Sequence, residues 1–314
     1  MSIRQTGEFG LISRVVSRLG EPGPAVLLGP GDDAALVVAS DGRVVASTDL
    51  LVEGRHFRRD WADASDIGRR AAAANLADIA AMGGTATALL VGLCAPADLD
   101  AGWAELLAEG LAEEAGLVGA SVVGGDMTSG PTLMIAVTAL GDLHGLAPVR
   151  RDGARPGDLV AMAGRTGYAA AGYTVLSRGF RTPKVLVDAY RRPEVPYAHG
   201  PAAGRAGATS MIDVSDGLLA DLGHIADASR VHIDVLKDAF VVPDQMRDAA
   251  LALGVDPYQW LLAGGDDHAL AATFPEGAPL PEGWRVIGKV GTGSDVTVDG
   301  RPWSGATGWD HFRV

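Results

Sequence analysis

Ser210-Met211-Ile212-Asp213-Val214-Ser215-Asp216-Gly217-Leu218 is the stretch on which the fold turns. A short apolar run enters a turn carrying two carboxylates and a hydroxyl, and a helical pattern follows over Leu218–Ala228. A buried strand that ends in polar residues and leads into a helix is the grammar of an α/β protein, whose ligands gather at the strand ends. The same grammar recurs along the chain in Gly31-Asp32-Asp33, Ser47-Thr48-Asp49, Asn75-Leu76-Ala77-Asp78, Gly124-Gly125-Asp126 and Gly264-Gly265-Asp266-Asp267. Each cluster has apolar residues on one or both sides, such as Val122-Val123 before Gly124.

Outward from these clusters, strand and helix signals alternate. Ala34–Ala39 and Arg43–Ser47 read as strands split by a hairpin-type turn at Ser40-Asp41-Gly42. Ser65 is the expected N-cap of a helix over Asp66–Met82, with Ile67, Ala71, Ala74 and Ile79 on its buried side and Gly83-Gly84 as its stop. A second helix is expected over Leu99–Ala115. Strands at Ser121–Val123 and Thr132–Leu140 would flank a loop at Gly124–Pro131. Gly141–Gly157 carries Gly, Pro and Arg without periodicity, which puts a domain boundary there: 1–145 as one α/β domain, 146–314 as another. In the second half, strands are expected at Asp158–Met162, Ser210–Asp213, Val231–Val235, His268–Phe274 and Arg285–Val290. Helices fit Tyr168–Arg178, Leu218–Ala228 and Asp244–Leu253, and Val296–Val298 before Asp299-Gly300 reads as a closing hairpin.

The chain has 314 residues, 47% of them hydrophobic and 21% charged, ample for a buried core. Its net charge of −13 argues against nucleic acid as a partner. No apolar run is long enough for a membrane helix, and the first residues lack a signal-peptide pattern, so a cytoplasmic protein is expected. The one cysteine, Cys94, excludes a disulfide or a cysteine-cluster metal site and is expected to be a small buried apolar residue. No Walker-type phosphate loop, dinucleotide-binding glycine motif or protein-kinase catalytic loop occurs. Phosphate chemistry, if present, must use another device.

Acidic residues at strand ends are that device. Taken singly, a Gly-Asp or Asp-Gly pair is a turn. Asp78 is different, because a carboxylate in mid-helix, with Asn75 on the same face, has no turn to make. Carboxylates converging on one mouth repel each other by about 4 kcal/mol per pair at 4 Å and intermediate dielectric. Divalent cations relieve that repulsion and admit a polyphosphate to an acidic protein, so the clusters together favour a phosphoryl site with several magnesium ions.

In this order, the clusters resemble those of the thiamine-monophosphate kinases, in the superfamily that includes aminoimidazole ribonucleotide synthetase. The matching stretches are Gly7-Glu8-Phe9, Gly29–Asp33, Ser47–Asp49, Gly54–Phe57, Asn75–Gly83 and Gly124–Asp126. They continue with Arg151 and Pro156–Asp158, Asp213–Leu218, Asp221–His224, Gly264–Asp267 and Gly308–Phe312. The resemblance implies a two-domain α/β fold with mixed sheets, the N-terminal domains of two chains closing a β-barrel in a homodimer. It implies a kinase that takes thiamine phosphate to thiamine diphosphate, with ATP as co-substrate. Carried over by motif, Asp33, Ser47, Thr48, Asp49, Asp78, Asp126, Asp213 and Asp216 are the expected Mg2+ ligands. Gly125, Asp126, Arg151 and Ser215 are the expected ATP contacts, and His56, Asp266 and Trp309 those of thiamine phosphate.

Several of these residues carry a second reading. Arg151 could be a solvated linker arginine, and a Trp near a terminus is often a core plug. A lone His56 is weak evidence by itself. His224 lies one helical turn after Asp221, so a local cap explains it. The family pattern commonly reads Gly-Gly-Glu-Asp-Tyr where this chain has Gly264-Gly265-Asp266-Asp267-His268. Asp266 is thus one methylene shorter, and a bridging water or Asp267 could take over its role. Two other functions stay open on the sequence: another ATP-using enzyme of the aminoimidazole ribonucleotide synthetase type, and a non-catalytic nucleotide- or metal-binding module. No side chain is expected to act as general base.

Overall fold

The computed structural model describes residues 2–6, 8–30 and 35–309, with the backbone alone for Glu8 and Phe9. The expectations on Gly31–Asp33, Gly7 and Asp310–Phe312 lie outside the described residues. Two compact units form: Met1–Ile79 with Gly84–Gly145, and Leu146–Val314 with the short segment Ala80–Gly83.

The first unit opens with helices α1 (Ile3–Thr6) and α2 (Glu8–Val16). Strands β1 (Val26–Leu28) and β2 (Leu36–Val37) form a small antiparallel ribbon. Then come β3 (Val45–Val52), α3 (Ala64–Ala81), β4 (Thr85–Ala95), α4 (Ala101–Gly116), β5 (Ser121–Ser129) and β6 (Met134–Asp142). The four longer strands make one sheet in the order β3-β6-β4-β5, with only β4 and β5 parallel. On the β6 strand Ile135, Val137 and Ala139 are fully buried, whereas the alternate residues Ala136, Thr138 and Leu140 are half-buried. That period of two is a sheet covered on one face.

Four local expectations need correction here. The turn at Ser40–Gly42 is not a hairpin: β2 pairs with β1, and β3 pairs with β6. Asp41 accepts from the N–H of Arg43 at 3.0 Å and Asp142 accepts from the N–H of Ser40 at 3.3 Å, which redirects the chain toward β6. The α3 helix begins before Ser65, capped by Asp63, whose carboxylate accepts from the Asp66 N–H at 2.8 Å. Gly124–Asp126 is no loop but the middle of β5, where Asp126 pairs with Gly92. Cys94, on β4, is half-buried rather than buried.

The second unit contains β7 (Leu159–Ala163), α5 (Tyr168–Ser177), α6 (Lys184–Arg191), α7 (His199–Arg205), β8 (Ser210–Val214), α8 (Leu218–Ser229) and β9 (His232–Val235). It ends with α9 (Asp244–Leu253), α10 (Pro257–Ala263), β10 (Ala269–Phe274), β11 (Trp284–Gly291), β12 (Asp295–Val298) and β13 (Arg301–Pro302). These strands form a seven-stranded sheet, β13-β12-β9-β11-β7-β10-β8, in which only β9 and β12 run parallel. Strand β10 sits between β7 and β8 and is buried at every residue. Each large side chain buried in this way contributes about 1.5–3 kcal/mol. The fold is thus mixed α/β with mixed sheets.

Candidate active site

In the second unit, three turns meet where β8 ends. The β8 strand is buried throughout and gives way to the half-buried Ser215 and Asp216. The turn before β10 docks on it: the Asp266 N–H donates to the Ser215 carbonyl at 2.8 Å, and the His268 N–H to that of Val214 at 3.1 Å. The C-terminal turn docks as well, the Trp309 N–H donating to the Asp216 carbonyl at 2.9 Å. Gly265 permits this approach, since a Cβ there would lie 2.1 Å from the Ser215 carbonyl oxygen. The expected ATP contact Ser215, the cation ligand Asp216 and the substrate contacts Asp266 and Trp309 therefore share one rim. Asp266 is exposed and Trp309 is 58% exposed, so the tryptophan is not a core plug.

Beneath the rim lies a set of buried carboxylates. Asp213 Oδ2 stands 3.2 Å from His268 Nδ1, each side chain 6% exposed. Asp221 Oδ2 accepts from the N–H groups of Asp216 and Gly217, at 3.1 and 3.0 Å, and so holds the turn from below. Burial, and then the charge of Asp213, push the Asp221 carboxyl up to about 7. Asp267 Oδ1 accepts from the Ala169 N–H at 3.1 Å and caps α5. Among the described residues its Oδ2 has no hydrogen-bond partner, and burial pushes the group up to about 7.

The departures from the family pattern also acquire a physical setting. Asp266 and His268 both have left-handed backbones, with φ of 68° and 51°. Asp and His tolerate that region better than most side chains.

In the first unit, β3 and α3 build the other half of the expected cation set. The Ser47 hydroxyl donates to Asp78 Oδ2. Asn75 Oδ1 accepts from the Asp49 N–H at 3.0 Å, while its Nδ2 donates to the Ala71 carbonyl at 3.1 Å. Asn75 thereby ties the edge strand to the helix bearing Asp78. Thr48 points to the opposite face, as strand alternation demands, and its hydroxyl donates to the Val137 carbonyl and accepts from Thr138, both at 3.0 Å. Any cation contact of Thr48 beside Ser47 and Asp49 would thus use its main-chain oxygen.

Asp126 is not brought to Asp49. Strands β6 and β4 lie between β3 and β5, a separation of roughly 14 Å at the usual strand spacing. The row Leu50–Ala136–Gly92–Asp126 runs across the sheet face opposite Ser47 and Asp49. There Asp126 and Gly125 border a cavity of about 1040 Å³ together with Leu90, Gly92 and Thr138. Gly125 has a structural reason of its own: a Cβ would sit 1.9 Å from the Val91 carbonyl oxygen.

His56 lies in the turn after β3. Its Nδ1 accepts from the Val52 N–H at 2.9 Å, so the proton of the neutral ring resides on Nε2, assigned from the hydrogen-bond network. Arg151 is exposed in a 3₁₀ turn of the second unit, its carbonyl accepting from the Ser229 hydroxyl at 2.7 Å.

Residues 31–143 match the model of the AIR synthase related protein, N-terminal domain. Thiamine-monophosphate kinase of Mycobacterium tuberculosis is 51% identical over 313 residues, 99% of this chain and 93% of the relative. The chain belongs to the thiamine-monophosphate kinase family. The solved enzyme of Stenotrophomonas maltophilia K279a is 33% identical, covers 95% of this chain and 98% of its own, and superposes with a TM-score of 0.80. The complex of AaThiL with AMPPCP and TMP is 30% identical over 99% of both chains, with a TM-score of 0.81. The fold is therefore that of the aminoimidazole ribonucleotide synthetase superfamily.

Within each unit, strands and turns are held by buried groups to which the sequence assigns no such role: Asn75 in the first, Asp221 and His268 in the second. Asp267, the alternative to Asp266, caps α5 instead. Asn75 and Asp267 bond main-chain groups 26 and 98 residues away, which no local pattern shows. Among the described residues, no three His, Cys, Asp or Glu side chains stand close enough together to hold a metal ion. Each unit instead offers one or two carboxylates with hydroxyls. That donor set fits magnesium, which is held by one or two carboxylates and completes its shell with water and substrate phosphate.

Proposed function

We propose that this chain phosphorylates thiamine phosphate to thiamine diphosphate at the expense of ATP, as its relatives' name describes. The observation that carries the reading is the shared rim in the second unit, where Ser215 and Asp216 are bonded main chain to main chain to Asp266 and Trp309. One turn serving both substrates would put donor and acceptor phosphates side by side. Asp33, Ser47, Thr48, Asp49, Asp78, Asp126, Asp213 and Asp216 would hold magnesium. When bound, the ions supply positive charge to two polyanions that must meet.

The chain's own groups do the rest. Gly125, Asp126, Arg151 and Ser215 would seat ATP, Arg151 offering its planar fork of donors to phosphate oxygens. Trp309, exposed on the rim, offers an aromatic face to a cationic thiazolium. His56 presents an Nε2–H donor suited to holding a phosphate rather than removing a proton. No base is needed, because a phosphomonoester with a second pKa near about 6 is already an anionic nucleophile at neutral pH.

A cytoplasmic homodimer completes the reading. Leu50 and Leu90, 46% and 38% exposed, lie on the sheet face that carries Asp126. A second copy on that face would bury them and could offer Asp126 the cation partners its own β3 cannot.

The test is ADP release coupled to a dehydrogenase readout, with thiamine phosphate or thiamine as acceptor. Turnover with the phosphate alone supports this function; turnover with thiamine alone would overturn it. Turnover with neither, but tight ATP binding, would favour the non-catalytic module.

A further inference from the structure

We propose that His268 is a positioning residue for Asp213: its ring holds one carboxylate oxygen and leaves the other to a cation. The inference rests on the reading of Asp213 as a cation ligand. Asp213 ends a fully buried strand and stands near a second buried carboxylate, Asp221. A carboxylate in such a place can turn about its χ2 bond unless a donor fixes it. His268 Nδ1, at 3.2 Å from Oδ2, is that donor in the tautomer an ionised carboxylate selects.

Two main-chain contacts keep the ring in place. The His268 N–H is bonded to the Val214 carbonyl, and β10 then pairs in register with β8, Leu270 opposite Asp213. The ring and the carboxylate therefore belong to one rigid corner of the sheet. A ligating carboxylate that is itself hydrogen-bonded is the usual arrangement around protein-bound metals, and loss of the outer partner typically weakens metal binding by about 10–100-fold. A tyrosine, the residue common at this position in the family pattern, carries its hydroxyl farther from the backbone. The pairing seen here is therefore made by the histidine itself.

The probe is Mn2+ alone, titrated into the full chain and followed by electron paramagnetic resonance, beside the magnesium dependence of ADP release. His268→Ala removes the donor. His268→Asn restores an N–H near the Nδ1 position and tolerates a left-handed backbone. The expected result is Mn2+ binding weakened about 10-fold or more in His268→Ala, with a matching rise in the magnesium needed for half-maximal rate. His268→Asn should recover most of both, at an unchanged KM for thiamine phosphate. A variant that melts earlier yet binds Mn2+ and uses magnesium as the parent chain does would reduce His268 to a packing role and overturn the proposal.

Ring resonances of the unsubstituted chain, labelled with ¹⁵N-histidine, give a second measurement should the alanine variant not fold. Mn2+ must broaden the His268 signals at low occupancy, and their insensitivity would also overturn the proposal. Asp213→Asn separates this idea from the one beneath it. Unchanged Mn2+ binding in Asp213→Asn means that Asp213 is no ligand, whereas a loss there without a loss in His268→Ala rejects the positioning role alone.

Discussion

Asp267 shows what a carboxylate costs when its second oxygen has nowhere to go. Its Oδ1 caps α5, but Oδ2 is buried without a hydrogen-bond partner among the described residues, and burial raises the pKa to about 7. Between the ordinary value of 3.8 and that value, the folded chain keeps a proton the unfolded chain has released. Stability therefore falls as pH rises through this window and levels off above it. Asp267→Asn keeps the shape and the acceptor for Ala169 without the charge. Its melting temperature should exceed that of the parent by a few degrees at pH 8, with the gap closing toward pH 4. A gap that does not vary with pH would show that Asp267 is not buried as a strained carboxylate. None of this could be read from Gly264-Gly265-Asp266-Asp267-His268, where two adjacent aspartates look alike. Only the fold turns Asp266 outward and Asp267 into the core.

Elements are legible where a period runs over about three turns or more, whereas the sequence reading has no place for the shorter helices α6, α7 and α10. The α3 helix, α9 over Asp244–Leu253 and the buried strands of the second unit declare themselves by spacing. Polar or glycine-rich pieces that pair with distant strands do not. Gly124–Asp126 reads as a loop by composition, yet it continues β5, since the cross-strand partner Val91 lies far away in sequence and leaves no local trace. Short-range chemistry misleads in the same way at Ser40–Gly42, where a turn signal is real but the strands beside it pair elsewhere. The β5 strand offers a direct test. Gly125→Ala would place a Cβ 1.9 Å from the Val91 carbonyl and force β4 and β5 apart. A loss of about 3 kcal/mol or more in denaturant unfolding is expected, in the range of severe core overpacking. Gly116→Ala, at the end of α4 with nothing near its Cβ position, should be neutral or slightly stabilising. Equal effects of the two would mean that β4 and β5 are not so closely paired.

At the scale of the whole molecule, the proposed reaction requires an acidic chain of net charge −13 to bring together two phosphate-bearing substrates. The sequence showed the acidic clusters and their order, but not that one sheet keeps Asp126 and Asp49 apart, which depends on strand order alone. If the carboxylates serve cations, removing one should cost activity and not folding. Asp78→Asn and Asp126→Asn are expected to lose nearly all ADP release while melting no earlier than the parent in metal-free buffer. Near-normal turnover at low magnesium would return both residues to structural roles.

The same charge problem decides the pH profile. Where repulsion between polyanions is the barrier, the chain's task is to position them, and proton removal adds nothing to a nucleophile that is already ionised. The acidic limb of the rate profile should then fall near about pH 6, where the substrate phosphate itself takes up its second proton. His56 accepts a main-chain N–H at Nδ1, and in the proposed role its Nε2–H would hold the substrate phosphate. His56→Ala should raise the KM for thiamine phosphate while leaving that limb in place. An acceptor with a more acidic phosphate or phosphonate should move the limb down with its own pKa in both the parent and the variant. A limb that stays fixed when the acceptor changes, or that vanishes in His56→Ala and returns with added imidazole, would establish a histidine base in place of transfer to an ionised phosphate.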